Sequence, residues 1–187
     1  MATISDLSKG NYIRYNGDIM QVEELQHRTP GNLRAFYQIK MRNLRNGKLA
    51  ENRFRPGDSV DLLRVETKNY QFLYTDGDSL VCMDNDTFEQ VYIDKALLGN
   101  SVKYLKEGIM LMIAFENGTN PITAEPPNQV VVKVTYTEPG VQGDTATRTL
   151  KSATIETGAE IRVPLFINTG DNVKIDTQSG EYIERVK

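Results

Sequence analysis

The chain has 187 residues, 39% apolar and 25% charged, with a formal net charge of −3; this is the profile of a folded soluble protein with room for one large domain or two to three small ones. No run of about 18 apolar residues is present to cross a bilayer, and the start, Met1 to Asp6, lacks the basic-then-apolar layout of a signal peptide. The lone Cys82 has no cysteine to pair with, which excludes an internal disulfide and favours a reducing compartment, so the cytoplasm is expected.

In chain order, Tyr12–Tyr15 and Ile19–Val22 are short alternating runs separated by Asn16-Gly17. Both central positions of a two-residue hairpin turn need positive φ, which Asn and Gly tolerate, so a β-hairpin is predicted there. Gln21–Leu25 and Ala35–Met41 then read as paired strands around His27-Arg28-Thr29-Pro30-Gly31-Asn32-Leu33-Arg34. Pro-Gly is a turn former, so this is a projecting hairpin with its tip near Asn32. Lys40, Arg42 and Arg45 are expected to line one face of the returning strand, where charge would grip phosphates; an ordinary exposed β-turn is the competing reading.

Further strand-like segments are Tyr70–Tyr74, Ile109–Phe115, Val130–Tyr136, Glu160–Ile167 and Asn172–Asp176. They alternate with turns at Asn46-Gly47, Pro56-Gly57-Asp58, Asp76-Gly77-Asp78, Asn117-Gly118, Pro139-Gly140 and Ser179-Gly180. Turns at this spacing, with few helical patterns, predict small β-barrels. One helical signal follows Ala96-Leu97-Leu98, with Asn100 as its cap and Val102 and Leu105 on one face. It is about two turns long and reads as a plug closing one end of a barrel.

Charge and proline mark the boundaries. Residues 1–64 carry a net +4, residues 65–127 a net −6 and residues 128–187 a net −1. Pro126-Pro127 removes two backbone donors, so modules of 1–64, 65–127 and 128–187 are expected. Within the first, Arg28, Arg34, Lys40, Arg42, Arg45, Lys48, Arg53 and Arg55 face only Glu51 in the window 28–55. That asymmetry suits a polyanion, with a solvated charged face equally compatible on composition alone.

Catalytic patterns are lacking. His27 is the only histidine, which excludes a His-based triad and a multi-histidine metal site. Cys82, between Val81 and Met83, reads as a buried, inert thiol. There is no phosphate-cradling glycine loop or dinucleotide fingerprint; Asp76, Asp78, Asp84 and Asp86 could suggest calcium, but Asp84-Asn85-Asp86 lacks the spaced glycine and terminal Glu of a calcium loop. Neither an enzyme nor a metal or cofactor is expected.

The most specific stretch runs from Lys151 to Gly170, in which Lys151, Ala153, Gly158, Ile161, Val163, Pro164, Ile167 and Gly170 fit a family signature. Physically, Gly158 and Gly170 serve turns, and Val163–Ile167 is expected to be a core strand with Pro164 at an edge. Together with Tyr70–Tyr74, Asn85–Gln90, Glu138–Ala146 and Ser179–Tyr182, these residues make the chain resemble bacterial elongation factor P from end to end. The resemblance implies an all-β protein of three consecutive small barrels, an SH3-like (KOW-type) barrel and two OB-fold barrels, arranged in an L. It implies a monomeric, non-enzymatic factor that binds the ribosome, through ribosomal RNA and proteins, between the peptidyl and exit sites. Such a factor stabilises peptidyl-tRNA and stimulates peptide-bond formation at stalled consecutive prolines.

Carried onto this sequence, the peptidyl-tRNA-contacting tip is Pro30, Gly31, Asn32, Leu33 and Arg34, backed by a basic face of Arg28, Lys40, Arg42 and Arg45. The exit-site mRNA loop is Gly143, Asp144 and Thr145, where Gly allows close backbone approach and Asp144 and Thr145 can hydrogen-bond a base or their own turn. The acidic middle module is expected to face protein or solvent, since RNA would repel it. The chain departs from the family at the tip. Where many members carry a modified Lys or Arg it has Asn32, which offers neither an amine to acylate nor a guanidinium to glycosylate. Leu33 replaces a small residue. An unmodified tip is therefore expected, with a modified Arg34 as the competitor. A family paralogue acting in another stalling context, or a general OB-type RNA-binding protein, are the alternative functions; the acidic second module argues against the latter.

Overall fold

Residues 2–31, 34–139 and 150–187 are described by a computed structural model. Within them the chain forms three sheets in sequence order. The first uses β1 (Ala2–Thr3), β2 (Tyr12–Tyr15), β3 (Asp18–Arg28), β4 (Phe36–Asn43), β5 (Leu49–Phe54) and β6 (Ser59–Leu62) in the order β1-β6-β2-β3-β4-β5. The expected Asn-Gly hairpin is present: Tyr15 pairs with Asp18, and Asn16 and Gly17 take φ of 51° and 85°. Alternation along β2, β3 and β4 delivers Ile13, Met20, Val22, Ile39 and Met41 to one side, where they join Ile4 and Leu7 in a buried cluster.

The second sheet contains β7 (Val65–Asp76), β8 (Ser79–Met83), β9 (Gln90–Asp94), β10 (Met110–Glu116) and β11 (Asn120–Glu125), ordered β11-β10-β7-β8-β9. Its interior includes Tyr70, Phe72, Leu80, Cys82, Ile93, Leu111 and Ile113. The predicted helix between β9 and β10 is two short 3₁₀ segments, Lys95–Leu97 and Gly99–Tyr104. Its cap is Asp94, whose carboxylate accepts from Ala96 N at 2.8 Å, and Asn100 lies inside the second segment. Gly99 breaks the pattern by taking a φ of 55°, so the run cannot continue as one α-helix.

The third sheet contains β12 (Gln129–Thr137), β13 (Leu150–Ile155), β14 (Glu160–Pro164), β15 (Asn172–Asp176) and β16 (Tyr182–Val186), ordered β14-β13-β12-β15-β16. The strand expected to run through Ile167 stops at Pro164, and Ile167 N turns back to the Pro164 carbonyl at 3.1 Å. Pro164 sits at the end of an edge strand, where its missing N–H leaves no ladder bond unmade. Ile167 is still fully buried, entering the core from the turn with Val132, Val134, Val163 and Val173.

Two compact units emerge: residues 1–67 with 114–123, and residues 68–113 with 124–187. In the first, Arg14 meets Glu116 at 2.6 Å and Asn117 N donates to the Arg64 carbonyl at 2.9 Å. In the second, Tyr104 from the 3₁₀ segment is buried within the core cluster of the third sheet. Around it, Thr157 Oγ1 donates to the Lys103 carbonyl at 2.7 Å, and Lys106 Nζ to the Val131 carbonyl at 2.7 Å.

Candidate nucleic-acid interface

The β3–β4 ladder is the longest hairpin of the first sheet, with register from Met20↔Asn43 out to Arg28↔Phe36. Its fully buried part ends near Ile39; beyond that, partly buried Tyr37 still packs on the hydrophobic cluster, and the ladder ends at Arg28↔Phe36 before the loop holding Pro30, Gly31 and Arg34. Two contacts brace this outer part. His27 and Tyr37, paired across the ladder, set their rings 4.7 Å apart and tilted by 31°. On the other face the Arg53 guanidinium lies 5.1 Å from the centre of the Phe36 ring. Each such contact contributes about 0.5–1.5 kcal/mol.

The predicted basic face is divided by its neighbours. On β4, Lys40 and Arg42 point away from the core while Ile39, Met41 and Asn43 are buried. A one-residue bulge at Glu23 shifts the register from Val22↔Met41 to Glu24↔Lys40. Lys40 consequently sits between Glu24 on β3 and Glu51 on β5. Arg42 is held by Glu23 at 2.5 Å and donates to the Gly47 carbonyl at 3.1 Å. Arg45 is not on the strand: β4 ends at Asn43, and Arg45 lies exposed in the following turn, its N–H donating to Asn43 Oδ1 at 2.8 Å. Asn43 is buried and ties the turn to Asp18 at 2.8 Å.

Positive potential is therefore concentrated at the two ends of this sheet. At the hairpin end, Arg28, Arg34 and Arg53 are exposed and make no ion pair among the described residues. Arg28 is oriented instead by two hydrogen bonds to Gln26 Oε1, at 2.7 and 3.1 Å. At the other end stand Arg45 and Lys48. Arg53 and the carboxylates Glu23 and Glu24 are what reading along the chain underweights, because a strand's partners come from another part of the sequence; the signal that finds them is the β3–β4–β5 register. Asn32 and Leu33 lie outside the described residues.

The third-sheet loop expected to hold Gly143, Asp144 and Thr145 also lies outside the described residues, but its two shoulders do not. Thr137 pairs with Ala153 and its Oγ1 donates to the Ser152 carbonyl at 2.8 Å, while Lys151 Nζ donates to the Glu138 carbonyl at 2.6 Å. These contacts fix the described ends of β12 and β13, between which the loop falls in the sequence.

Cys82 is fully buried, and loss of solvation pushes its thiol up to about 11, so it is protonated near neutrality and a poor nucleophile. Among the described residues no cluster of three His, Cys, Asp or Glu is placed to hold a metal ion. Among the described residues no helix is long and apolar enough to cross a membrane.

Comparison with known proteins agrees with this arrangement domain by domain. Residues 3–60 match the elongation factor P KOW-like domain, residues 65–123 its OB domain and residues 130–185 its C-terminal domain. Proteins called elongation factor P from Chloroherpeton thalassium and Flavobacterium psychrophilum are 49% and 48% identical, with both chains covered in full. One from Chloroflexus aggregans is 49% identical over 98% of each chain. Among solved structures, eukaryotic translation initiation factor 5A from Methanococcus jannaschii superposes with a TM-score of 0.51 at 15% identity, over 67% of this chain and 90% of that one, a likeness of fold. With three domain matches in order and near-half identity along the whole length, the chain belongs to the bacterial elongation factor P family of translation factors.

Proposed function

We propose that the chain binds the ribosome between the peptidyl and exit sites, steadies the peptidyl-tRNA and stimulates peptide-bond formation where consecutive prolines stall it. Its domains are taken as 1–64, 65–127 and 128–187, and it works in the cytoplasm as a monomer. The chain does no chemistry of its own. Holding the peptidyl end in a reactive geometry lowers the entropic part of the barrier while the ribosome supplies the reaction.

One observation carries the reading: at the outer end of the first sheet, Arg28 and Arg34 of the braced β3–β4 hairpin and Arg53 of the adjoining β5 stand without a carboxylate partner among the described residues. Cations on a stiff arm suit the phosphates near a tRNA acceptor end, since ordering them costs little on binding. Pro30, Gly31, Asn32, Leu33 and Arg34 form the tip, and Asn32 acts unmodified through its amide and backbone. Lys40, Arg42 and Arg45 support the arm, with Lys40 and Arg42 attenuated by Glu24, Glu51 and Glu23. Gly143, Asp144 and Thr145 approach mRNA in the exit site.

The test is binding to ribosomes that carry peptidyl-tRNA, measured across a salt series. Arg28→Glu with Arg34→Glu should weaken binding at low salt and flatten its dependence on salt, because fewer counterions are released. Equal affinity at low and high salt for variant and wild type would remove the arm as the contact. Intact mass of protein from its own cell decides the tip: an adduct on Arg34 overturns the unmodified reading.

A further inference from the structure

The nucleic-acid reading leaves the second sheet without a task, yet that sheet carries an unusual outward face. Leu80 and Cys82 of β8 point inward, paired with Ile93 and Phe72, and all four are buried. Val81 lies between them in sequence and so faces the other way. It pairs with Tyr74 on β7 and with Tyr92 on β9. These tyrosines are 52% and 60% exposed, while Val81 between them is 0% exposed. A bulge in β7 at Leu73 sets this register, Phe72↔Cys82 being followed by Tyr74↔Val81. The next row on the same face is Asp76, Ser79 and Asp94. Met110 and Met112 of β10 are also exposed.

Two rings on alternate strands, about 10 Å apart by strand spacing, thus stand beside a row of carboxylates. The surrounding charge is strongly one-sided. Between residues 74 and 95 lie Asp76, Asp78, Asp84, Asp86, Glu89 and Asp94, against Lys95 alone. Lys95 is directed to the Gly77 carbonyl.

The third sheet repeats the scaffold and shows what is particular here. Its first strand has the same bulge, at Thr135, followed by Tyr136 at 62% exposure. There, however, the row continues through Thr154 to Glu160. The adjacent row holds Ser152 and Arg162. The second tyrosine and the row of aspartates belong to the second sheet only.

We propose that the outward face of β7–β8–β9 docks an arginine-rich segment of another protein, with guanidinium groups lying on Tyr74 and Tyr92 and pairing with Asp76 and Asp94. Arginine suits both halves of this surface, because its planar cation stacks on aromatic rings and forks onto carboxylates. An RNA strand could stack on the rings, but its phosphates would meet the six carboxylates. A second copy of this chain would bring the same aspartates face to face. Charge complementarity selects the basic protein.

The probe is a short peptide of alternating arginine and glycine, titrated into the full-length chain without ribosomes and followed by amide NMR shifts and by affinity. Shifts should map to residues 74–94. Tyr74→Ala with Tyr92→Ala should weaken binding about tenfold, whereas Tyr74→Phe with Tyr92→Phe should retain it. Asp76→Lys should also weaken it, and Tyr136→Ala should leave it unchanged. The Phe pair and Asp76→Lys keep the test sound if the Ala pair unfolds by uncovering Val81. No binding by the wild-type chain, equal binding by the Ala pair or by Asp76→Lys, or tighter binding of oligouridine to the same residues would each overturn the proposal.

Discussion

Asp176, at the end of β15, accepts from Ser179 N at 2.8 Å, Ser179 Oγ at 2.9 Å and Gln178 N at 3.0 Å. The hydrogen bonds from Ser179 hold its carboxyl below its ordinary 3.8. A carboxylate depressed in the folded state stabilises it above the unfolded value, and that contribution is lost as pH falls through the lowered folded value. The advantage of the wild type over Asp176→Ala should therefore hold from neutrality down to about pH 5 and shrink as the medium is acidified below 3.8. Urea unfolding at a series of pH values reads it; an advantage that grows on acidification would contradict the assignment. The same turn sets Gly180 at a φ of 74°, with the space for a Cβ only 1.9 Å from Tyr104 Oη and 2.5 Å from its Cζ. Tyr104 is 3% exposed inside a packed cluster, so its ring has nowhere to swing. Gly180→Ala combines a left-handed backbone with overpacking, and should cost about 2–4 kcal/mol in urea unfolding. A variant within about 0.5 kcal/mol of wild type, the range of a neutral surface change, would show that the ring yields.

At the scale of elements, the β3 bulge decides how much charge the first sheet offers to a partner. Because Glu23 bonds Arg42 and Glu24 lies opposite Lys40, removing a carboxylate should strengthen contact with a polyanion. Glu23→Gln should raise affinity for ribosomes by about twofold to fivefold at low salt, the range of an exposed ion pair, with the gain vanishing at high salt. A loss of affinity would instead mean that Glu23 orients Arg42 for binding. Here the limits of reading along the chain become clear. Asn16-Gly17 announced its hairpin because turn chemistry is local, and the β15 bounds followed from simple alternation. The count of basic groups in 28–55 was right but incomplete, since Glu23 and Glu24 lie outside the window and reach β4 only through pairing. Alternation carries no marker for where a strand ends and so extends β4 to Arg45; buried Asn43, bonded to Asp18, is what starts the turn. Pro164 similarly ended β14 where apolar residues alone suggested continuation.

Across the whole molecule, three barrels of this size would each be marginal alone, and the way Tyr104 is used bears on how they are kept stable. It belongs by sequence to the segment joining β9 to β10, yet it is buried with Val132, Val134, Val163 and Val173 of the third sheet. Nothing in the spacing of Val102, Tyr104 and Leu105 distinguishes a side chain serving its own barrel from one serving the next. Hydrogen bonds from Thr157 Oγ1 to the Lys103 carbonyl and from Lys106 Nζ to the Val131 carbonyl tie the same segment to the turn after β13 and to β12. Residues 68–113 and 124–187 accordingly form one compact unit, and residues 1–67 with 114–123 another. If packing makes each unit cooperative, truncating Tyr104 should be felt on both sides of it. Tyr104→Ala should cost about 3–5 kcal/mol. By native-state hydrogen exchange, protection should fall together at Leu111 and Ile113 of β10 and at Val132 and Val173 of the third sheet, while Ile39 and Met41 of β4 keep theirs. If protection falls in the third sheet and persists in β10, Tyr104 is a plug for one barrel and does not couple the two.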